Sequence, residues 1–246
     1  MKLTDHEFWL NYWESKSDLI FPVPENFILS NFLKDICSSN KINASLELGG
    51  FPGHYSVYLR KYLGVIPTLL DYVIHPKILK DLAKINGLEE NDIDIVEADL
   101  FNKKNNRKFD LVFSNGLIEH FENTQEIIDI HASYLNDGGT LYISLPNFRG
   151  LNGWLQKNFD KENYEKHYIE CMNTALLKNV SENIGLKNVK VFYFGKFMIW
   201  LENIQQKSGV FQVGFKTLWL CFKVIFKLIP IETKWFSPYI VIIATK

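Results

Sequence analysis

The sequence is short of cysteine. Its three, Cys37, Cys171 and Cys221, stand far apart, with no CxxC pair and no metal-ligand spacing. That excludes a disulfide framework and gives no sign of a metal site; it fits reduced thiols in a cytoplasmic protein. A charge surplus is missing too, since the formal net charge is −1. Without a basic excess, nucleic acid is not an expected partner. The opening stretch Met1 to Glu7 lacks an apolar signal core, so secretion is not expected. No charge-free apolar run is long enough to span a bilayer. Phe211 to Ile231 comes nearest, but Lys216, Lys223 and Lys227 interrupt it.

What is present in quantity is apolar surface. Hydrophobic residues are 47% of the 246, enough for one α/β domain with elaborations. Aromatics reach 15%, nineteen of them Phe. Those rings must pack in the core or meet a ligand, a lipid or a partner.

The apolar spacing predicts a short helix over 4–16 with Phe8, Trp9, Tyr12 and Trp13, and a second over Glu25 to Cys37. Strand and helix then alternate. Strands are predicted at Ala44–Leu48, Pro67–Tyr72, Ile93–Val96, Phe109–Ser114 and Thr140–Leu145, with helices at Tyr55–Lys61, Pro76–Asn86 and Thr124–Leu135. Such alternation with short connections argues for a parallel sheet covered on both faces. Beyond Asn147 the pattern loosens to loop and short helix, then a helix at Thr174–Asn183 and a strand at Val189–Tyr193. An apolar insertion over 200–232 precedes a last strand at Tyr239–Ala244. The organisation expected is a helical cap over 1–40, a ligand-binding core over 41–147 and a substrate-side region over 148–246.

Glu47-Leu48-Gly49-Gly50-Phe51-Pro52-Gly53 lies between a strand and a helix. Glycines there let the backbone turn tightly and approach a ligand, although an ordinary βα turn can look the same. Asp71 ends the next strand, where a carboxylate can accept from two vicinal ribose hydroxyls. Asp99 ends the third, within reach of an adenine edge; a solvated loop acid is the plain alternative. Asn115 and Gly116 would floor the site after the fourth strand, and Glu119-His120 follow within an apolar run.

From about Ser45 to Pro146 these residues resemble the class I S-adenosylmethionine-dependent methyltransferase domain. The family's first motif is roughly acidic-x-Gly-x-Gly-x-Gly. Glu47, Gly49 and Gly53 match it, while Phe51 stands at the middle glycine position with Gly50 before it. Asp71 matches the ribose-binding acid and Asp99 the adenine-contacting acid. The turn with Glu119-His120 matches the fourth motif, and Asn136-Asp137-Gly138-Gly139 the turn before the fifth strand. The resemblance implies a Rossmann-like doubly wound sheet of seven strands, the C-terminal one antiparallel. It implies S-adenosyl-L-methionine as cofactor, held by Glu47, Gly49, Gly50, Gly53, Asp71, Tyr72, Asp99, Leu100, Asn115 and Gly116.

Methyl transfer from a sulfonium needs mainly a nucleophile held in line, and a hydroxyl gains from a base. His120 and His167 are the candidate bases. Each could equally be structural. Tyr12, Trp13, Tyr55 and Tyr168 are the candidate substrate contacts, and His54 could meet the cofactor's carboxylate end. No metal is expected. The acceptor is expected to be a small molecule or a glycan- or lipid-linked intermediate, methylated on a hydroxyl oxygen. On a helix, Lys216, Lys223 and Lys227 share one stripe of an otherwise apolar surface. That suits contact with the inner face of a membrane over 211–231 or an apolar substrate wall, and it equally describes a core-packing or homodimer-packing helix with a narrow wet edge. Two readings compete with catalysis of methyl transfer. One is a nicotinamide-dependent oxidoreductase, which shares the Gly loop and strand-end acid; the other is a non-catalytic scaffold, which Phe51 keeps open.

Overall fold

A computed structural model describes residues 5–16, 18–89, 91–102, 107–196, 198, 201, 208–228 and 232–246. The elements are α1 (His6–Ser15), α2 (Ser30–Ser39), β1 (Ala44–Leu48), α3 (His54–Leu63), β2 (Ile66–Asp71), α4 (Pro76–Ile85), β3 (Asp94–Glu97), β4 (Phe109–Asn115), α5 (Thr124–Ser133), β5 (Leu135–Pro146), α6 (Leu151–Phe159), α7 (Lys161–Glu165), α8 (Thr174–Asn183), β6 (Lys187–Phe194), α9 (Gly209–Leu228) and β7 (Tyr239–Thr245).

The strands form one sheet in the order β3-β2-β1-β4-β5-β7-β6. β1 to β5 pair in parallel, and β7 runs antiparallel between β5 and β6. The expected seven-stranded Rossmann-like sheet is therefore borne out, antiparallel strand included. The chain builds outward from β1 to β3 and then crosses to β4 on the other side of β1. That reversal opens a crevice at the carboxyl ends of β1 and β4, where a doubly wound sheet binds ligands.

Both faces of the sheet are covered, so β4 is apolar on both sides through Leu111, Val112 and Phe113, while β1 carries buried Ser45 and Glu47 between its leucines. On one side Leu46, Leu48, Val112 and Ile143 pack with Ile127 and Ile128 of α5 and Leu177 of α8. On the other, Leu69, Leu111, Phe113 and Tyr142 pack with Leu33 of α2, Val57 and Leu59 of α3, and Leu79 and Leu82 of α4. Each such aliphatic side chain contributes about 1.5–3 kcal/mol by leaving water.

Local chemistry sets the element ends. Asp5 caps α1 by accepting from Phe8 N–H at 2.8 Å, and Asn173 caps α8 by accepting from Ala175 and Leu176. Pro76 sits in the first turn of α4, where its missing N–H costs no helix bond. Two expected boundaries are corrected. The second helix begins at Ser30, not Glu25. Leu29 is left-handed at φ 61°, and the Phe27 ring turns aside to pack on Tyr55 and His54. β5 also starts earlier than expected, because Leu135 already pairs with Phe109 before a bulge restores the main register.

In the insertion expected over 200–232, α9 is helical as anticipated. Residues 202–207 and 229–231, and the side chains of Lys223 and Lys227, lie outside the described residues. Among the described residues no helix is long and apolar enough to cross a membrane.

Candidate active site

The loop after β1 is built around a buried carboxylate. Glu47 Oε2 accepts from Ser56 N–H at 2.9 Å and from its hydroxyl at 2.5 Å. Burial pushes this carboxyl up to about 8, against those two bonds. A Cβ on Gly50 would sit 2.2 Å from Glu47 Cδ, so this glycine is required by the acid beneath it. Gly49, at φ 61°, would carry a Cβ 2.4 Å from Leu117 Cδ1. Glu47, Gly50 and Gly53 thus shape the loop, while Gly49 and Phe51 line the cavity beside it.

Phe51 does not fill that cavity. Its ring is 3% exposed, belongs to the core under α3 and meets Trp13 edge-on at 5.1 Å. The Phe51-Pro52 peptide is cis. Phe51 N–H donates to Asp71 Oδ2 at 2.9 Å, and Val73 N–H donates to Oδ1 at 3.1 Å. Burial raises the Asp71 carboxyl to about 6, against these donors. Each carboxylate oxygen keeps a second lone pair, so Asp71 can still accept from a ligand diol.

The cavity holds about 290 Å³ at the carboxyl ends of β1, β2 and β4. Asp71, Tyr72, Asp99, Leu100 and Phe101 line one end, and Asn115, Gly116, Glu119, His120 and His167 the other. Asp99 also accepts from Phe101 N–H at 3.0 Å, which fixes its loop. α1 forms the roof: His6 meets Tyr72 edge-on at 5.2 Å, and Trp9 meets His120 at 5.3 Å. Three buried side-chain atoms of this lining have no hydrogen-bond partner among the described residues: Trp13 Nε1, Asn115 Nδ2 and Glu119 Oε2. Such atoms are costly unless something binds them. The glycine-made approach, the diol-accepting acid and these orphaned groups fit a nucleoside bearing polar substituents.

A second cavity of about 560 Å³ shares Asn115, Gly116, Glu119, Asn163 and His167 with the first. Its other walls include Leu29, Tyr55, Ser144, Leu145, Phe148 and Tyr239. Burial holds the Tyr55 phenol well above its ordinary range, so it remains a hydrogen-bond donor.

At the shared wall His120 Nδ1 lies 3.0 Å from the Lys166 carbonyl, and His167 Nδ1 2.7 Å from that of Asn163. The two rings are 5.0 Å apart. Burial, with His167 adding to it, lowers His120 to about 3; burial also lowers His167. Burial pushes Glu119 up to about 8.

Of the residues singled out from sequence, Gly49, Asp71, Tyr72, Asp99, Leu100, Asn115, Gly116, His120, His167, Tyr12 and Trp13 meet in the first cavity, and Tyr55 lines the second. Tyr168 lines neither; its N–H donates to the Glu119 carbonyl at 2.6 Å and supports the turn. His54 lies elsewhere, with Nε2 2.8 Å from the Leu19 carbonyl and its ring stacked on Phe21. Sequence reasoning passed over Trp9, Phe101, Asn163 and Glu119 as site residues. Only Glu119 carried a signal, as an acid inside the apolar run Leu117 to Phe121.

The methyltransferase domain family matches residues 30–191. No curated protein matches the chain in sequence. Among solved structures, phosphoethanolamine N-methyltransferase 2 of Haemonchus contortus, in complex with S-adenosyl-L-methionine, superposes with a TM-score of 0.58 at 16% identity. The match covers 88% of this chain and 52% of that one, so the chain spans about half its length. A SAM-dependent methyltransferase from Archaeoglobus fulgidus gives 0.57 at 19% identity over 98% and 100% of the two chains. An O-methyltransferase family protein from Burkholderia thailandensis gives 0.54 at 17% identity, over 89% and 56%. These likenesses share the fold described above, and the family match spans its sheet from α2 to β6, so the chain belongs to the methyltransferase domain family, as the resemblance in its sequence implied.

Proposed function

We propose that the chain transfers a methyl group from S-adenosyl-L-methionine to a hydroxyl oxygen of a small-molecule or glycan-related acceptor. The observation that carries this is the wall shared by the two cavities. One cavity has the glycine loop and Asp71; the other is mostly apolar with the Tyr55 and Tyr239 phenols and Ser144. Asn115, Gly116, Glu119 and His167 stand between them.

In this reading Asp71 accepts from the ribose hydroxyls, and Tyr72, Asp99 and Leu100 bound the adenine end. Asn115 Nδ2, buried and unpartnered, donates to the amino-acid portion. The cofactor supplies an activated methyl on sulfur, with a neutral thioether as leaving group. The acceptor oxygen attacks that carbon as the carbon–sulfur bond breaks, and its proton is taken up at the wall lined by Glu119, His120 and His167. The roof of α1 and the apolar second cavity keep water away from the sulfonium. A nicotinamide is disfavoured because Asp99 and the segment from Asn115 to His120 follow the methyltransferase pattern, and the family match is to a methyltransferase domain.

The test is turnover with a panel of hydroxyl and amine acceptors, read as S-adenosylhomocysteine release and a mass gain of one CH₂ on the acceptor. Mass gain on hydroxyl compounds supports the reading. Methylation of amines alone would reject the oxygen assignment, and hydride transfer with a nicotinamide would reject the whole.

α9 suits an acceptor held at a membrane surface. Val213 and Leu220, seven residues apart on this helix, are 66% and 55% exposed, and Lys216 beside them is exposed as well. An apolar face edged by lysine suits the headgroup region of a bilayer, which supports contact with the inner membrane face. Flotation with anionic vesicles supports this; protein left at the bottom of the gradient rejects it.

A further inference from the structure

We infer that Glu119, His120 and His167 form a binding site for a divalent transition-metal ion at the wall between the two cavities. One ligand atom from each of the three lies within 4.8 Å of those of the other two. Metal–ligand bonds of about 2.1 Å leave neighbouring ligand atoms about 3–4 Å apart, so small side-chain rotations complete the set.

The hydrogen bonds select the ligand atoms. His120 Nδ1 faces the carbonyl of Lys166, and His167 Nδ1 faces that of Asn163. A carbonyl only accepts, so each Nδ1 carries the proton. Nε2 is then the nitrogen with a lone pair to give, in both rings. A backbone carbonyl holding the far N–H is how metal-binding histidines are commonly oriented.

Glu119 supplies the second, independent observation. Its side chain is 2% exposed, and Oε2 is buried without a partner. A carboxylate in that setting needs a cation or a proton. Lys166, the lysine in this lining, pairs with Glu162 at 3.2 Å and lies over the Phe8 ring, so it is engaged elsewhere. Two imidazoles and one carboxylate suit zinc, iron or manganese in the divalent state, with coordination positions left open. Glu119 and His167 border both cavities, so those positions face the acceptor. There an ion would lower the pKa of an acceptor hydroxyl, whose proton would then pass to solvent and not to the three side chains holding the metal. That role rests on the proposed methyl transfer; the binding site does not.

The cysteine count and sequence spacing gave no sign of this site. His167 lies forty-seven residues beyond His120, and only the fold brings them together.

The experiment is calorimetric titration of chelator-treated full-length protein with Zn²⁺, and with Co²⁺ read by visible absorption. Wild type is expected to take up one ion per chain. Glu119→Gln and His167→Gln are each expected to weaken binding at least tenfold, while His6→Gln leaves it unchanged. Circular dichroism and thermal melting of each variant identify any that fails to fold. A wild type that takes up no ion overturns the site, whatever the variants do. Uptake undiminished in either folded variant overturns it as well. S-adenosylhomocysteine is titrated into the same samples. Metal uptake without its binding sinks the proposed cofactor and keeps the metal site; its binding without metal uptake does the reverse.

Discussion

Phe51 donates its backbone N–H to Asp71 Oδ2 at 2.9 Å, which ties the loop after β1 to the acid that ends β2. The residue standing at the middle glycine position of the loop therefore does not obstruct the cavity. Its ring packs down into the core, and its amide holds the acid that would meet a ribose. Phe51→Ala should lose about 3–5 kcal/mol of stability, as buried aromatic truncations do. Phe51→Leu should lose much less and keep ligand binding, because the amide remains. Denaturant melts of both variants check this, and equal losses would contradict it.

Gly50→Ala should damage the site through Glu47. The added Cβ would collide with a carboxyl that Ser56 holds in place. Either the loop lifts or the Glu47 bonds break. Affinity for S-adenosylhomocysteine should fall at least about tenfold, which is about 1.4 kcal/mol. Calorimetry reads this directly, and an unchanged affinity would show that the loop has slack.

Stability should depend on pH through Glu47 and His131. Glu47 is raised by burial to about 8, against about 4.3 when unfolded. Between those values folding must take up a proton, so stability falls as pH rises. His131, lowered to about 4 by burial, lies 2.9 Å from the Ser114 hydroxyl through Nε2 and 2.6 Å from the Ile127 carbonyl through Nδ1. Its unfolded value is about 6.5, so it opposes folding as pH falls below that. The two trends offset each other below about pH 6.5, and the Glu47 loss stands uncompensated from there to about 8. Glu119, raised by burial to about 8 as well, adds a loss of the same sign, so Glu47→Gln should lessen the fall in melting temperature across pH 6.5 to 8 relative to wild type without abolishing it. Parallel curves would contradict the assignment.

α1 should act as a removable roof. None of its residues is fully buried, and it rests on the site through aromatic rings such as Trp9 on His120 and Trp13 on Phe51. Trp9→Ala should therefore weaken ligand binding severalfold with only a modest fall in melting temperature, since Trp9 is only half-buried. A large stability loss with unchanged binding would make α1 part of the core instead.

The sheet was legible because its signals are local. A run such as Phe109 to Ser114, ended by Asn115-Gly116, can be little else than a buried strand and its turn. The cofactor end was legible for the same reason, since Asp71 closes β2 and Asp99 follows two residues after β3. The roof was half legible: the aromatic helix stood out, but no sequence signal aimed Trp9 at His120. The start of α2 was misread because its helical spacing continues back to Phe27, whereas the chain turns at Leu29 to seat that ring on Tyr55. The Glu119, His120 and His167 cluster is a product of topology, which carries the α7 turn over the end of β4.

Titration of S-adenosylhomocysteine into wild type and Asp71→Ala tests the central claim most directly. The account predicts one site per chain for wild type. In the variant, loss of a charged acceptor worth about 1.5–3 kcal/mol should weaken binding roughly tenfold to a hundredfold. Binding that Asp71→Ala leaves unchanged, or a wild type that takes NAD in its place, would contradict it.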